Sequence, residues 1–278
     1  MNWLKERHQP HYWLIALAVA LALLHLTYLS QANEPNLMSL TLLLGLGIAS
    51  FIWDRRDRLK LNSSLFSTFL GIFSIALVLL RSLSPAGYHI YISPFVAGLG
   101  LCLMASGIKR LHHYWRELLI LCLLVLHPVL ARFMQAIDSS TLTAKFSTFM
   151  LWVAGFNPYR EGVAILMPSG RVEVYGDCSG IDSMILMLCV SVLFLLMVPL
   201  NLLQQTICIM VGILVGFMVN SLRVSILAIL VAQKNAFDYW HGGNGSFIFS
   251  TIAVFVFGMF CWWAYVRHLT VTPDSGES

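Results

Sequence analysis

Three short stretches of this chain carry side chains that together could break an amide bond. The first is Gly176-Asp177-Cys178-Ser179-Gly180-Ile181-Asp182, just ahead of a long apolar run. A cysteine near a helix N-terminus feels the unpaired N–H groups of the first turn, which stabilise the thiolate. The flanking glycines leave the backbone open to a substrate. Ser179 could equally cap the helix, with Cys178 a small buried residue. The second stretch, Asn220-Ser221-Leu222-Arg223, lies inside another apolar run. An arginine within a membrane span costs at least about 2.5 kcal/mol on insertion scales, so it is functional or paired, unless it snorkels to the headgroups. Asn220 sits three residues earlier on the same helix face, which favours a polar site over a lone anchor. The third stretch is Tyr239-Trp240-His241-Gly242-Gly243. Alone it reads as a solvated histidine beside interfacial aromatics. Taken together, the histidine can accept the thiol proton. The arginine can stabilise an oxyanion or position the scissile carbonyl, and apolar surroundings strengthen both effects.

These residues need a scaffold, and the composition says what kind. Of 278 residues, 58% are hydrophobic and only 11% charged, against about 25% charged in a soluble domain. Eight apolar runs approach the roughly 20 residues needed to cross a bilayer: 12–29, 37–53, 64–81, 90–108, 117–134, 179–200, 206–233 and 246–266. The first follows Lys5 and Arg7 and is too long for a cleavable leader, so it reads as a retained anchor. The expected fold is all-α: a polytopic transmembrane bundle of about eight helices with a short extracytoplasmic β-hairpin. It is read as one integral membrane domain over 1–278, with N-terminal spans at 1–115, a catalytic core at 116–266 and a cytoplasmic tail at 267–278.

Short basic loops set the orientation. With the N-terminus inside, ten basic residues fall in cytoplasmic segments: Lys5, Arg7, Arg55, Arg56, Arg58, Lys60, Lys109, Arg110, Arg116 and Arg267. Six fall outside, Arg81, Arg132, Lys145, Arg160, Arg171 and Lys234, four of them in one long loop. Both termini are then cytoplasmic, and Cys178, Arg223 and His241 meet at the same outer boundary, although the topology was set without reference to them. Within the long outer segment 135–177, residues 139–155 alternate hydroxyl and apolar residues and read as an amphipathic helix in the interface. GVAILMP and RVEVYG read as strands joined around Pro168-Ser169-Gly170. Arg160, Glu161, Arg171 and Glu173 are expected on its solvated face. His25, His127 and Arg81 are expected to pack or anchor, and the tail TPDSGES to be disordered.

VEVYGDCSGID, then NSLR, then WHGG before the last span resemble the exosortase/archaeosortase family, and FNPYREGVAILMPSGRVEV resembles that family's hairpin ahead of its cysteine. The resemblance covers roughly 115–265, and the GDCSGID form is similar to the cyanobacterial branch. It implies a cysteine peptidase or transpeptidase acting at the outer face of the plasma membrane. Its substrates would be membrane-anchored proteins ending in a short PEP motif, a transmembrane helix and a basic tail. Cys178 would be the nucleophile, Arg223 the family's arginine and His241 the general base; archaeal relatives carry arginine at that last position. Asn220 belongs to the same motif. Asp182, one turn after Cys178, could pair with Arg223, orient His241 or simply favour the helix N-terminus, and Ser179 is a further supporting candidate. No cofactor or metal is implied: the cysteines lack zinc spacing and H-E-x-x-H is absent. No basic block tracks phosphates, so nucleic acid is not an expected partner. A different class remains open, a transporter or exopolysaccharide-export component. Against it, there are no repeated halves, and the polar residues cluster at one face instead of the midplane. A serine mechanism through Ser179 is also open.

Overall fold

The structure is a computed structural model; it describes residues 10–32, 35–56, 61–82, 87–135, 138–242 and 245–267. Lys5, Arg7, Arg58, Lys60 and the TPDSGES tail, used or assigned above, lie outside the described residues. Every apolar run expected to span is a helix: α1 (Pro10–Gln31), α2 (Pro35–Asp54), α3 (Leu65–Ser82), α4 (His89–Ser106) and α5 (Trp115–Gln135), then, beyond α6 (Ser139–Val153), α7 (Ile181–Met197) and α8 (Leu202–Leu230), and, beyond α9 (Lys234–His241), α10 (Gly245–Cys261). Among the described residues seven helices are long and apolar enough to cross a membrane, and α7 is apolar but shorter. At 17 residues α7 reaches about 25 Å, the lower limit for a span. The chain is thus a polytopic all-α membrane protein.

The chain packs as two compact units, residues 1–129 and 130–278. In the first, α3 lies against α4 so closely that a Cβ on Gly71 would stand 2.6 Å from the Gly100 carbonyl oxygen. Glu117, 2% exposed, is bonded to Arg55, whose guanidinium also donates to the His113 carbonyl at 2.7 Å. This pair ties the end of α2 to the start of α5 through Glu117 Oε1 and offsets part of the cost of burying the carboxylate. His127 lies against the ring of Tyr91, centroids 5.5 Å apart.

In the second unit α8 is the central element. It begins at a reciprocal capping box: the Asn201 side chain accepts from the Gln204 N–H at 2.9 Å, and the Gln204 side chain accepts from the Asn201 N–H at 3.1 Å. Gly212 and Gly216, one turn apart, face α7. A Cβ on Gly216 would stand 2.6 Å from the Ser183 carbonyl oxygen, and one on Gly212 2.1 Å from Ser191 Oγ. In lipid no hydrophobic force holds helices together, so this close approach is what gives α7 and α8 their contact. Replacing Gly216 by leucine is expected to force the pair apart, costing about 1–3 kcal/mol; a lower midpoint of thermal unfolding in detergent micelles checks this.

The helix α6 has the two faces that its sequence suggests, and the hydroxyl face is the buried one. Its hydroxyl residues Ser139, Thr143 and Ser147 point inward, all buried, while Leu142, Phe149, Trp152 and Val153 point out. The stripe bonds to its neighbours: Thr143 Oγ1 donates to the Ser179 carbonyl at 2.9 Å and Ser147 Oγ to the Ser221 carbonyl at 2.9 Å. These hydroxyls face protein because the loop ahead of α7 and the helix α8 each offer a carbonyl there. At its start, Asp138 accepts from the Thr141 N–H at 3.1 Å, and the hydrogen bonds from Thr141 hold the Asp138 carboxyl below the usual carboxylate range.

The expected hairpin is a three-stranded antiparallel sheet, β1 (Tyr159–Glu161), β2 (Ala164–Met167) and β3 (Gly170–Glu173), in sequential order. Pro168 and Ser169 form the β2–β3 turn, with Met167 opposite Gly170, and Arg160 pairs with Ile165 across β1 and β2. Arg171 and Glu173 form an exposed ion pair at 2.6 Å, on the solvated face expected for them. Alternation puts Ile165, Val172 and Val174 inward, into one cluster with Ala144 and Leu151 of α6 and Val224, Leu227 and Ala228 of α8. Gly170 abuts Val231 just after α8.

Candidate functional site

Cys178 arrives at α8 from the end of the sheet. Val174 extends the ladder, its N–H donating to the Val163 carbonyl at 3.1 Å. Tyr175 then turns outward, and Gly176–Cys178 make one 3₁₀ turn closed by the Cys178 N–H on the Tyr175 carbonyl at 2.9 Å. The helix α7 starts only at Ile181. Its N-cap is Gly180, in the left-handed region at φ 88°, which a side chain would strain. Ser179 is therefore not the N-cap; its Oγ lies 3.5 Å from the Ile181 N–H, at the limit of hydrogen bonding. Cys178 stands two residues ahead of the cap and is 4% exposed, within the same cluster as Val174 and Val224. Asp182 falls in the first turn of α7, half-buried.

One turn of α8 reaches both other stretches. Asn220 Nδ2 donates to the Cys178 carbonyl at 3.0 Å. Three residues on, Arg223 donates from Nε to the Trp240 carbonyl at 3.4 Å and from Nη2 to the His241 carbonyl. These are last-turn carbonyls of α9, which have no partner within the helix, and a cation there also opposes the helix dipole. Asn220 and Arg223 are 2% and 4% exposed, so Arg223 is buried against protein and is not a headgroup anchor. The His241 ring stacks on Phe237, centroids 5.3 Å apart at 15°. Phe237 and Trp240 pack in turn on the cluster that contains Cys178. The three stretches thus converge on one turn of α8, where Asn220 and Arg223 stand about 4.5 Å apart along the axis.

Two aspects were hidden from the sequence. The arginine donates to backbone carbonyls of α9, partners that no sequence pattern names. Thr143 and Ser147 of α6 brace the Cys178 loop and α8 from behind. Their four-residue spacing with Ser139 was visible, but only packing shows which side it faces. Among the described residues no three His, Cys, Asp or Glu side chains gather as a metal-binding group.

A buried cysteine, an amide and a guanidinium on one turn of α8, with the histidine-bearing end of α9 held by its backbone to that turn, define a membrane protein with a candidate thiol site. Residues 33–258 match the family described as transmembrane exosortase, and the chain belongs to that family. The match extends the resemblance through the second span and carries the family without a branch of it. Membership suggests processing of sorting signals within the membrane. No curated protein and no solved structure matches the chain.

Proposed function

We propose that this protein is a membrane-embedded cysteine peptidase or transpeptidase that cuts the C-terminal sorting tail of exported proteins. The substrate class is a protein ending in a PEP motif, one transmembrane helix and a basic cluster. The observation that carries the reading is that the turn Asn220–Arg223 holds the backbones of Cys178 and His241 at once. The basic-loop balance supports a site at the outer face of the plasma membrane with both termini cytoplasmic. A bitopic tail diffuses laterally to such a site, its basic end fixing its depth.

In the reaction the Cys178 thiol gives its proton to the His241 imidazole, and the sulfur adds to the scissile carbonyl. The tetrahedral oxyanion collapses, the C–N bond breaks, and the imidazolium returns the proton to the leaving amine. A thioester on Cys178 remains, and water or an acceptor amine resolves it. Arg223 fixes the end of α9, and so the imidazole, and lends positive charge to a low-dielectric site. Asn220 holds the Cys178 loop; Ser179 and Asp182 support it at the start of α7.

Thioester chemistry has a direct readout. With a co-expressed protein carrying such a tail, added hydroxylamine should intercept the acyl-enzyme and leave a hydroxamate at the new C-terminus, seen by mass spectrometry. A processed product with only a free carboxylate at high hydroxylamine would speak against a thioester. Replacing His241 by alanine should slow processing by about 10²–10⁴-fold. Its half-buried side chain predicts normal membrane accumulation, measured by quantitative immunoblot.

A further inference from the structure

The carboxamide of Asn220 is satisfied at one end only. Its Nδ2 donates to the Cys178 carbonyl at 3.0 Å, while its Oδ1 is buried with no hydrogen-bond partner. Turning the amide over does not repair this, because Oδ1 would then face the Cys178 carbonyl oxygen, acceptor against acceptor. The amide is also wedged in place: a Cβ on Gly180 would stand 2.8 Å from Nδ2, so only glycine at that position leaves room for it. A buried acceptor without a donor carries its full desolvation cost, and such atoms are few in native proteins.

A peptide bound at Cys178 brings such donors. Each of its backbone N–H groups loses water on entering and needs an acceptor. The acyl group hangs from the sulfur of the same residue whose carbonyl Asn220 holds. Resting on the function proposed above, we infer that Asn220 Oδ1 accepts a backbone N–H of the substrate next to the scissile bond. Asn220 then binds the enzyme's loop with one end of its amide and the substrate with the other. The contact imposes a rule on the substrate: the residue supplying that N–H is not proline.

The test uses the full chain in lipid nanodiscs. The probe is a synthetic peptide with a Pro-Glu-Pro motif, an apolar helix of about 20 residues and a basic end. Further probes replace, one at a time, each backbone amide flanking the cut by an ester, which removes a single N–H. For wild type, one ester position should lower kcat/KM by about five- to tenfold. In Asn220→Ala the parent probe should slow by at least that factor, since the bond to the Cys178 loop is lost too, and the ester at that position should cost nothing more. Equal ester penalties in wild type and Asn220→Ala overturn the inference. If Asn220→Ala fails to fold, Asn220→Asp in its protonated form donates its O–H to the Cys178 carbonyl, keeps an acceptor oxygen and should keep the ester penalty; its disappearance there overturns the inference too. A wild-type protein that leaves the parent probe uncut overturns the proposed function itself, and this contact with it.

Discussion

Replacing Cys178 by alanine is expected to abolish processing of a co-expressed sorting-tail protein, a loss of about 10⁴-fold or more, with the bundle intact. Without the sulfur there is no thioester, and the remaining groups can only position a substrate. The fold should survive because Cys178 contributes one small side chain to a cluster that also holds Ile165, Leu151 and Leu227, and two hydrogen bonds run through its backbone: the N–H to Tyr175 and the carbonyl from Asn220. Alanine keeps both. Gel filtration in detergent checks the fold, and intact-mass analysis of the substrate checks the cut. Processing at the wild-type rate by Cys178→Ala would sink the cysteine mechanism. A serine route is separated by Ser179→Ala, expected to remain active: Ser179 is 2% exposed and its carbonyl is engaged by Thr143.

The second large effect is at Arg223. Its guanidinium bonds two carbonyls at the end of α9, and a hydrogen bond from a charged donor is worth about 1.5–3 kcal/mol. Losing both in Arg223→Ala should shift the docking equilibrium of α9 by at least about 100-fold, carrying His241 with it. Activity should fall by at least that factor. Amide hydrogen exchange at 234–242 should accelerate, while exchange in α7 and the middle of α8 stays slow. Lysine keeps the charge without the planar fork that reaches two carbonyls, so Arg223→Lys should recover only part of the loss. Full activity in Arg223→Ala would remove this residue from the machinery. Loss of activity with unchanged exchange in α9 would mean instead that the guanidinium acts directly on the substrate carbonyl.

The helices were legible because a membrane allows few alternatives. Every backbone polar group must be satisfied within the segment, so an apolar run such as 37–53 or 246–266 becomes a helix wherever it occurs. The β2–β3 turn was legible for a local reason, since Pro168-Ser169-Gly170 sets its own dihedrals. Residues 139–155 show where such reading fails. The spacing of Ser139, Thr143 and Ser147 makes a helix with a hydroxyl face, but spacing does not say whether that face meets water or another helix. The outcome depended on the carbonyls of Ser179 and Ser221, far away in sequence. The additional strand β1 escaped because three residues, Tyr159–Glu161, are too few to display a period.

By itself, then, the amino-acid sequence determined the medium this protein lives in, its helices, and the residue types available for thiol chemistry, since those follow from hydropathy and local geometry alone. Tertiary structure alone decided that Asn220 grips the Cys178 loop while Arg223 grips the end of α9, and that Oδ1 of Asn220 is left without a donor. Those are long-range pairings between backbone carbonyls and side chains, and a carbonyl is the same in every residue; only the packing of α8 against its neighbours selects which one each side chain meets.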